Sequence, residues 1–322
     1  MHPFTYHRAR SVGDALGRLA EPGALPMGGG TDLLVLLKED LAQPTAVVDL
    51  RDIPGARSIE VAGDDEARIG AAVRVNDLAT HAAIRERLPM LAEACESVGT
   101  VALRHMGTIG GNLCQRPRCW YFRRNIPCLK NGGDSCPAAT GENQYHAILG
   151  GGPCFIVHPS DPAVALTALE AVVEVEGARG ARAVPIGEFY LPPSQRLDHE
   201  TILEPQDFIT AVELPAASSG GTQRYYKVMQ REAWDFALVS LAAVRRRDGD
   251  VRLVLGGVAP RPWRVTSSVE EDVASGGLDA DAVETLAERA LIDVTPLSKN
   301  GYKVDLAGSL LRQAMSELWG EG

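Results

Sequence analysis

No run of about 18 apolar residues occurs in the 322-residue chain, so nothing in it reads as a membrane-spanning helix. Positive charge is also short. Lys and Arg number 32 against 42 Asp and Glu, a formal net charge of -10, which argues against a surface built to hold the phosphates of nucleic acid. The N-terminal stretch MHPFTYHRARSVGDAL lacks an apolar signal core and adjacent twin arginines. The expectation is a cytoplasmic chain without its own export signal, periplasmic only if a partner's signal carries it. There is no internal repeat and no low-complexity tail. Hydrophobic content of 45% and charged content of 23% are ordinary for a globular protein. The length exceeds one comfortable core, so two or three domains are expected.

Cysteine is nearly absent outside one short stretch. Five of the six cysteines fall between Cys114 and Cys154, in a segment rich in Gly, Pro, Arg and Asn and poor in apolar periodicity. Such a segment cannot fold around its own core, and thiolates bound to a metal or an iron–sulfur cluster would order it. Cys119, Cys128, Cys136 and Cys154 have the spacing C-x8-C-x7-C-x17-C. The missing C-x2-C knuckle weakens a zinc reading, and the spacing matches neither common ferredoxin run. A cluster remains ahead of zinc, and both ahead of idle thiols. Cys114, ending a glycine-rich loop, reads as packing or near-cofactor, and Cys95 as core. Arg116, Arg118, Arg123, Arg124 and Lys130 crowd the same stretch. They would either offset the charge of a thiolate-ligated cluster or form a solvated basic face.

The pattern elsewhere mixes helix and strand without regular alternation, so the expected class is α+β. Ser11 caps a helix to about Leu19, with Leu16 and Leu19 on one face. Ala24–Met27 and Ala46–Leu50 read as strands around an apolar helix at Leu33–Leu37. Arg68–Val73 reads as a strand, and Leu91, Ala94, Cys95 and Val98 as a helical stripe. Ala163–Ala171 follows the opener Pro159-Ser160-Asp161, and Val172–Glu176 with Arg182–Pro185 forms a hairpin around Gly180. Pro192, Pro193 and Pro205 punctuate a loop region. A last unit from about Gly221 holds strands Ala237–Val244 and Val251–Val258 around the Asp248-Gly249 turn, closed by helices Ala280–Leu291 and Val304–Leu318.

Two glycine loops carry the chemistry. Gly28-Gly29-Gly30-Thr31-Asp32 lies between a strand and a helix, where backbone N–H groups approach a phosphate closely. Asp49, ending the next strand, invites a Rossmann reading, but Leu33 stands where the third glycine of that fingerprint belongs, and no Walker lysine is present. Alone, the loop is as well read as a tight turn. The second loop, Gly107 to Asn112, suggests that two loops grip the two ends of a diphosphate, with Thr108 and Asn112 adding side-chain hydrogen bonds. The simpler reading is one more turn.

MGGGTDLL, HMGTIGGNL, HPSDPAVALTAL and YYKVMQREAWDFALVSLAA follow one another along the chain. In these motifs and their order it resembles the FAD-binding medium subunits of the molybdenum hydroxylases, the relatives of xanthine dehydrogenase. The resemblance runs from about Phe4 to the C-terminus, through GGVAPRPWR and NGYKVDLAGSLLRQAM. In most relatives the GGNL loop leads to the PSD segment within a few residues, whereas here roughly forty intervene. That insertion resembles a branch whose flavin subunit holds an additional [4Fe–4S] cluster, as in 4-hydroxybenzoyl-CoA reductase and a bacterial periplasmic aldehyde oxidoreductase. CLKNGGDSC is similar to the former. PRCWYF, and YHAILG followed by a cysteine, are similar to the latter.

The resemblance implies a two-subdomain FAD-binding fold of the vanillyl-alcohol-oxidase type and a C-terminal α+β domain. Expected boundaries are 1–55, then 56–220 with the cysteine insert at 114–154, then 221–322. Gly28, Gly29, Gly30, Thr31 and Asp32 would hold the FAD pyrophosphate. Thr108, Gly111 and Asn112 would lie along the diphosphate and flavin. Asp161 would bond the ribityl or adenosine portion, and Lys227 would approach the flavin ring. Without the resemblance, Asp161 reads as a helix cap and Lys227 as a surface lysine. Cys119, Cys128, Cys136 and Cys154 match the cluster ligands. The implied partners are a large molybdenum-cofactor subunit and a small subunit with two [2Fe–2S] clusters, with an electron acceptor or donor protein beyond them. This chain would carry electrons for a hydroxylation of an aldehyde or heteroaromatic carbon. In hydroxybenzoyl-CoA reductase the flow is reversed, entering through the extra cluster. A cluster that serves only to dock partners is the non-redox alternative.

Overall fold

The computed structural model describes residues 1–62, 66–231 and 233–319. The fold is α+β in three sheets. The first contains β1 (Thr5–Arg8), β2 (Ala24–Met27) and β3 (Ala46–Asp49), all parallel in the order β1-β3-β2. Parallel neighbours require crossovers, and helices Val12–Leu19 and Leu33–Lys38 provide them. Ser11 Oγ accepts the Asp14 N–H at 3.0 Å, which is the expected cap. Ala15 and Leu19 pack with Ala24, Ala46 and Val48 into a small core, and Leu16 lies at its edge.

The second sheet is antiparallel. It consists of β4 (Ile59–Val61), β5 (Ala67–Gly70), β6 (Val172–Glu176), β7 (Arg182–Pro185) and β8 (Phe208–Leu214), in the order β4-β5-β8-β6-β7. The strand expected at Arg68–Val73 stops at Gly70 because the Val73 N–H turns back onto the Gly70 carbonyl. β8, unforeseen beyond the prolines, is the central strand. Helices Val75–Thr80, Pro89–Glu96, Ile109–Leu113 and Asp161–Ala168 cover this sheet, with Cys95 fully buried among them.

The third sheet holds β9 (Thr222–Val228), β10 (Val239–Arg245), β11 (Val251–Gly256) and β12 (Trp263–Arg264) in the order β12-β11-β10-β9, all antiparallel. β10 is apolar almost throughout because both faces are covered. Val239, Leu241 and Ala243 face a core with helices Ser267–Ser275, Ala280–Ala290 and Tyr302–Trp319. Ala242 and Val244 face the core of the second sheet. Helix Asp161–Ala168 is wedged between the two, and nearly every residue of it is buried. Its N-terminus therefore lies where the second and third sheets meet the cysteine insert.

Candidate cofactor site

The two glycine loops touch. A Cβ on Gly29 would sit 1.7 Å from the Met106 carbonyl oxygen, and one on Gly28 would sit 2.3 Å from Thr108 Oγ1. Gly30 has φ +73°, which a side chain would strain. Gly28 to Asp32, Thr108, Gly110, Gly111 and Cys114 together line a cavity of about 660 Å3 that extends along β5, β6 and β8. That volume suits a large small-molecule ligand. Among the described residues, the N–H groups of Gly28 through Asp32 donate to no protein acceptor. Free backbone donors on a rim opened by three glycines fit a diphosphate. Burial raises the thiol pKa of Cys114 to about 12, so it borders this cavity as a neutral group.

The second loop is not a turn throughout. Ile109–Leu113 is a short helix whose cap is Thr108, with Oγ1 accepting the Gly111 N–H at 3.2 Å. The two glycines obscured this in the sequence. Asn112 Oδ1 accepts the Ser160 hydroxyl at 2.6 Å, and Ser160 Oγ accepts the Ala163 N–H at 3.1 Å. Ser160 thus caps helix Asp161–Ala168 and ties it to the second glycine loop.

Asp161 is buried and engaged. Its carboxylate receives the Lys227 ammonium at 2.8 Å and the Tyr225 hydroxyl at 2.7 Å. Lys227 also donates to the Ser97 carbonyl at 2.9 Å and is only 4% exposed. Burial raises the pKa of Asp161, and Lys227 opposes that shift. A surface lysine and a simple helix cap are therefore both wrong descriptions. Lys227 instead stands behind Asp161, two residues from Tyr225 on the same face of β9.

Asp161 also lines a second cavity, of about 320 Å3, with Ser160, Cys119, Trp120, His146, His158 and Phe236. Both ring nitrogens of His158 are buried without a protein partner. Burial lowers its pKa to about 3, so the ring is neutral and available as a hydrogen-bonding group.

The insert docks on all three parts of the fold. Asp32 receives the Arg116 N–H at 2.7 Å, Arg118 Nη1 at 2.9 Å and Arg123 Nη2 at 2.8 Å. Glu200 pairs with Arg116 at 2.6 Å and with the buried Lys130 at 2.7 Å. Asn300 Nδ2 donates to the His146 and Ala147 carbonyls at 3.1 Å. The expected choice between a cluster counter-charge and a solvated basic face thus has a third answer for Arg116, Arg118, Arg123 and Lys130, which are spent on carboxylates. Asp32, in turn, is held by the insert.

Cys119, Cys128, Cys136 and Cys154 line one small void, and all are free thiols. The Cys154 thiol hydrogen-bonds to Cys136, which lowers the Cys136 pKa to about 6 and raises that of Cys154. Burial raises the pKa of Cys119. Backbone N–H groups point at three of the sulfurs: those of Tyr121 and Phe122 at Cys119, of Ala138, Ala139 and Phe155 at Cys136, and of Ile156 at Cys154. Such donors favour thiolates. No group of three or more His, Cys, Asp or Glu among the described residues is gathered to hold a metal ion. The four cysteines around the void are, by residue type, those that ligate iron–sulfur clusters.

Two family models cover nearly the whole chain. Residues 2–217 match the FAD binding domain in molybdopterin dehydrogenase, and residues 224–318 match the CO dehydrogenase flavoprotein C-terminal domain. The chain is 38% identical to the aldehyde oxidoreductase FAD-binding subunit PaoB of Escherichia coli strain K12, over 98% of each chain. It is 28% identical to the carbon monoxide dehydrogenase medium chain of Hydrogenophaga pseudoflava, over 98% of this chain and 97% of that one. A solved structure of carbon monoxide dehydrogenase from the same organism, which lacks the Mo-pyranopterin moiety of the molybdenum cofactor, superimposes with a TM-score of 0.76 at 27% identity, over 99% of both chains.

Proposed function

The chain belongs to the FAD-binding family of the molybdopterin dehydrogenases, and from that premise we propose that it is the flavin- and cluster-carrying electron-transfer subunit of a three-subunit molybdenum hydroxylase. Gly28–Asp32 and Thr108–Asn112 would hold the FAD diphosphate, Asp161 would bond its ribityl or adenosine portion, and Lys227 would stand toward the flavin ring. The observation that carries this is the pair of touching glycine loops, whose unspent N–H groups border a 660 Å3 cavity. When bound, FAD exchanges single electrons with an iron–sulfur centre and electron pairs with an acceptor.

The residues of this chain have holding roles. Thr108 fixes the Gly111 turn, and Asn112 with Ser160 sets the helix that presents Asp161. Lys227 opposes the burial-driven rise in the Asp161 pKa and supplies positive charge behind it. Cys119, Cys128, Cys136 and Cys154 hold one [4Fe–4S] cluster. The substrate carbon, of an aldehyde or an aromatic or heteroaromatic compound, reacts on a large molybdenum subunit, and a small subunit with two [2Fe–2S] clusters passes the electrons here. The bonds from the insert to Asp32, Glu200 and Asn300 support a second reading in which the cluster is a structural staple.

The test is substrate reduction of the flavin. Aldehyde added anaerobically to the assembled complex should bleach the flavin band, while the chain without its partners should show only slow diaphorase-like activity. Full-rate aldehyde oxidation by the isolated chain would refute the assignment.

A further inference from the structure

Cys119, His146 and Ile156 line both the cysteine void and the 320 Å3 cavity beside Asp161. They form the wall between the two. His146 Nε2 stands 3.2 Å from Cys119 Sγ. The residue is 4% exposed. Its backbone N–H bonds to the Asn143 carbonyl, and its own carbonyl accepts from Asn300 at 3.1 Å. Trp120 and Tyr121 lie against the ring with centroids 5.9 and 6.1 Å away. The ring therefore has little freedom to turn.

The tautomer follows from the partners. Nδ1 is buried without a well-aligned partner; the nearby Asn143 backbone, whose carbonyl already accepts the His146 N–H, touches the ring only weakly. A proton there would be an orphaned donor, costing about 1–3 kcal/mol, and would leave the Nε2 lone pair facing a thiolate sulfur. A proton on Nε2 is satisfied by that sulfur.

We propose that His146 is a positioning residue that donates its Nε2–H to the Cys119 sulfur and raises the reduction potential of the cluster held by the four cysteines. This rests on the cluster assignment made above. A hydrogen bond to a ligand sulfur disperses negative charge, and the reduced cluster, one charge more negative, gains more from it than the oxidised one. The backbone donors at Cys119 act in the same sense, but His146 is the side-chain donor and so can be removed without changing the chain path.

The test uses the assembled complex, purified anaerobically, in wild-type, His146→Phe and His146→Gln forms. Cluster reduction is followed by electron paramagnetic resonance during a redox titration, with iron and sulfide measured on each sample. His146→Phe should retain its iron and titrate at a lower midpoint. His146→Gln, which can donate to sulfur, should stay nearer the wild-type value. In the wild type, selective 15N labelling of histidine should alter the electron spin echo modulation of the reduced cluster. An unchanged midpoint in an iron-replete His146→Phe protein would overturn the proposal. If that variant loses its cluster, the absence of any histidine nitrogen coupling in the wild type would overturn it. Wild-type protein with no iron beyond that of its partner subunit would instead reject the cluster assignment, and this inference with it.

Discussion

Asp32 and Arg123 stand 91 residues apart in the chain and 2.8 Å apart in space. One belongs to the first glycine loop and the other to the cysteine insert. With the Arg116 N–H and Arg118 on the same carboxylate, the loop that would carry the FAD diphosphate and the segment that would carry the cluster are mechanically joined. The arrangement also neutralises a carboxylate that would otherwise repel a diphosphate.

Asp32→Asn removes the charge but keeps the size. Hydrogen bonds to charged groups contribute about 1.5–3 kcal/mol, part of which would be felt at the loop. FAD should bind roughly tenfold more weakly, as about 1.4 kcal/mol requires, with iron content unchanged. Calorimetric titration of the deflavinated complex measures this, and wild-type affinity would show that the clamp has no bearing on FAD.

Gly29→Ala and Gly111→Ala should differ in kind. The first places a Cβ 1.7 Å from the Met106 carbonyl oxygen, so the two loops must part. It should lower the melting temperature and remove FAD together. The second meets only Thr108 Oγ1, at 3.1 Å, so the fold should hold while FAD affinity falls. Comparing flavin absorbance with thermal unfolding for the two proteins separates the cases. Equal FAD content in both would contradict the placement of the diphosphate.

Cys136→Ser should lose the cluster and expose the insert to proteolysis between Pro117 and Gly152. Cys95→Ser should leave iron unchanged, because Cys95 is fully buried in the core of the second sheet, away from the void. Iron analysis and limited digestion check both. Stoichiometric zinc without iron would reject the cluster.

Lys303 gives the pH dependence. Its ammonium is buried, donating to the Tyr145 carbonyl at 3.0 Å and the Gly257 carbonyl at 2.7 Å, and burial lowers its pKa to about 7. In the unfolded chain it stays protonated up to about 10.4. Between those values the unfolded state binds the extra proton, so the fold gains stability as pH rises. Below pH 7 both states are charged and the burial cost is felt in full. From pH 7 to 9 this group should raise the melting temperature by roughly 5 °C. Lys303→Met should flatten that rise, and parallel profiles for the two proteins would show that Lys303 does not titrate there.

Much of this was legible in the sequence where one local signal sufficed. The Ser11 cap, the β6–β7 hairpin around Gly180 and the apolar run of β10 each follow from periodicity or turn chemistry. β8 was not legible, because its neighbours β5 and β6 come from distant parts of the chain and nearby prolines suggest a loop. Gly28–Asp32 and Thr108 were visible as candidate loops, but not their contact. The pairing of Asp32 with Arg118 and Arg123 depends on tertiary approach and leaves no local signal. Tyr225 was recoverable, since it lies two residues from Lys227 on a strand. His146 was not, because its contact with Cys119 bridges 27 residues of irregular chain.

The central claim is that one chain carries both a flavin and a cluster. Cofactor stoichiometry tests it most directly, on protein purified anaerobically with its partners and then resolved into subunits. The account predicts one acid-releasable FAD together with about four irons and four sulfides on this chain. Protein that lacks either the flavin or the iron and sulfide on this chain would contradict it.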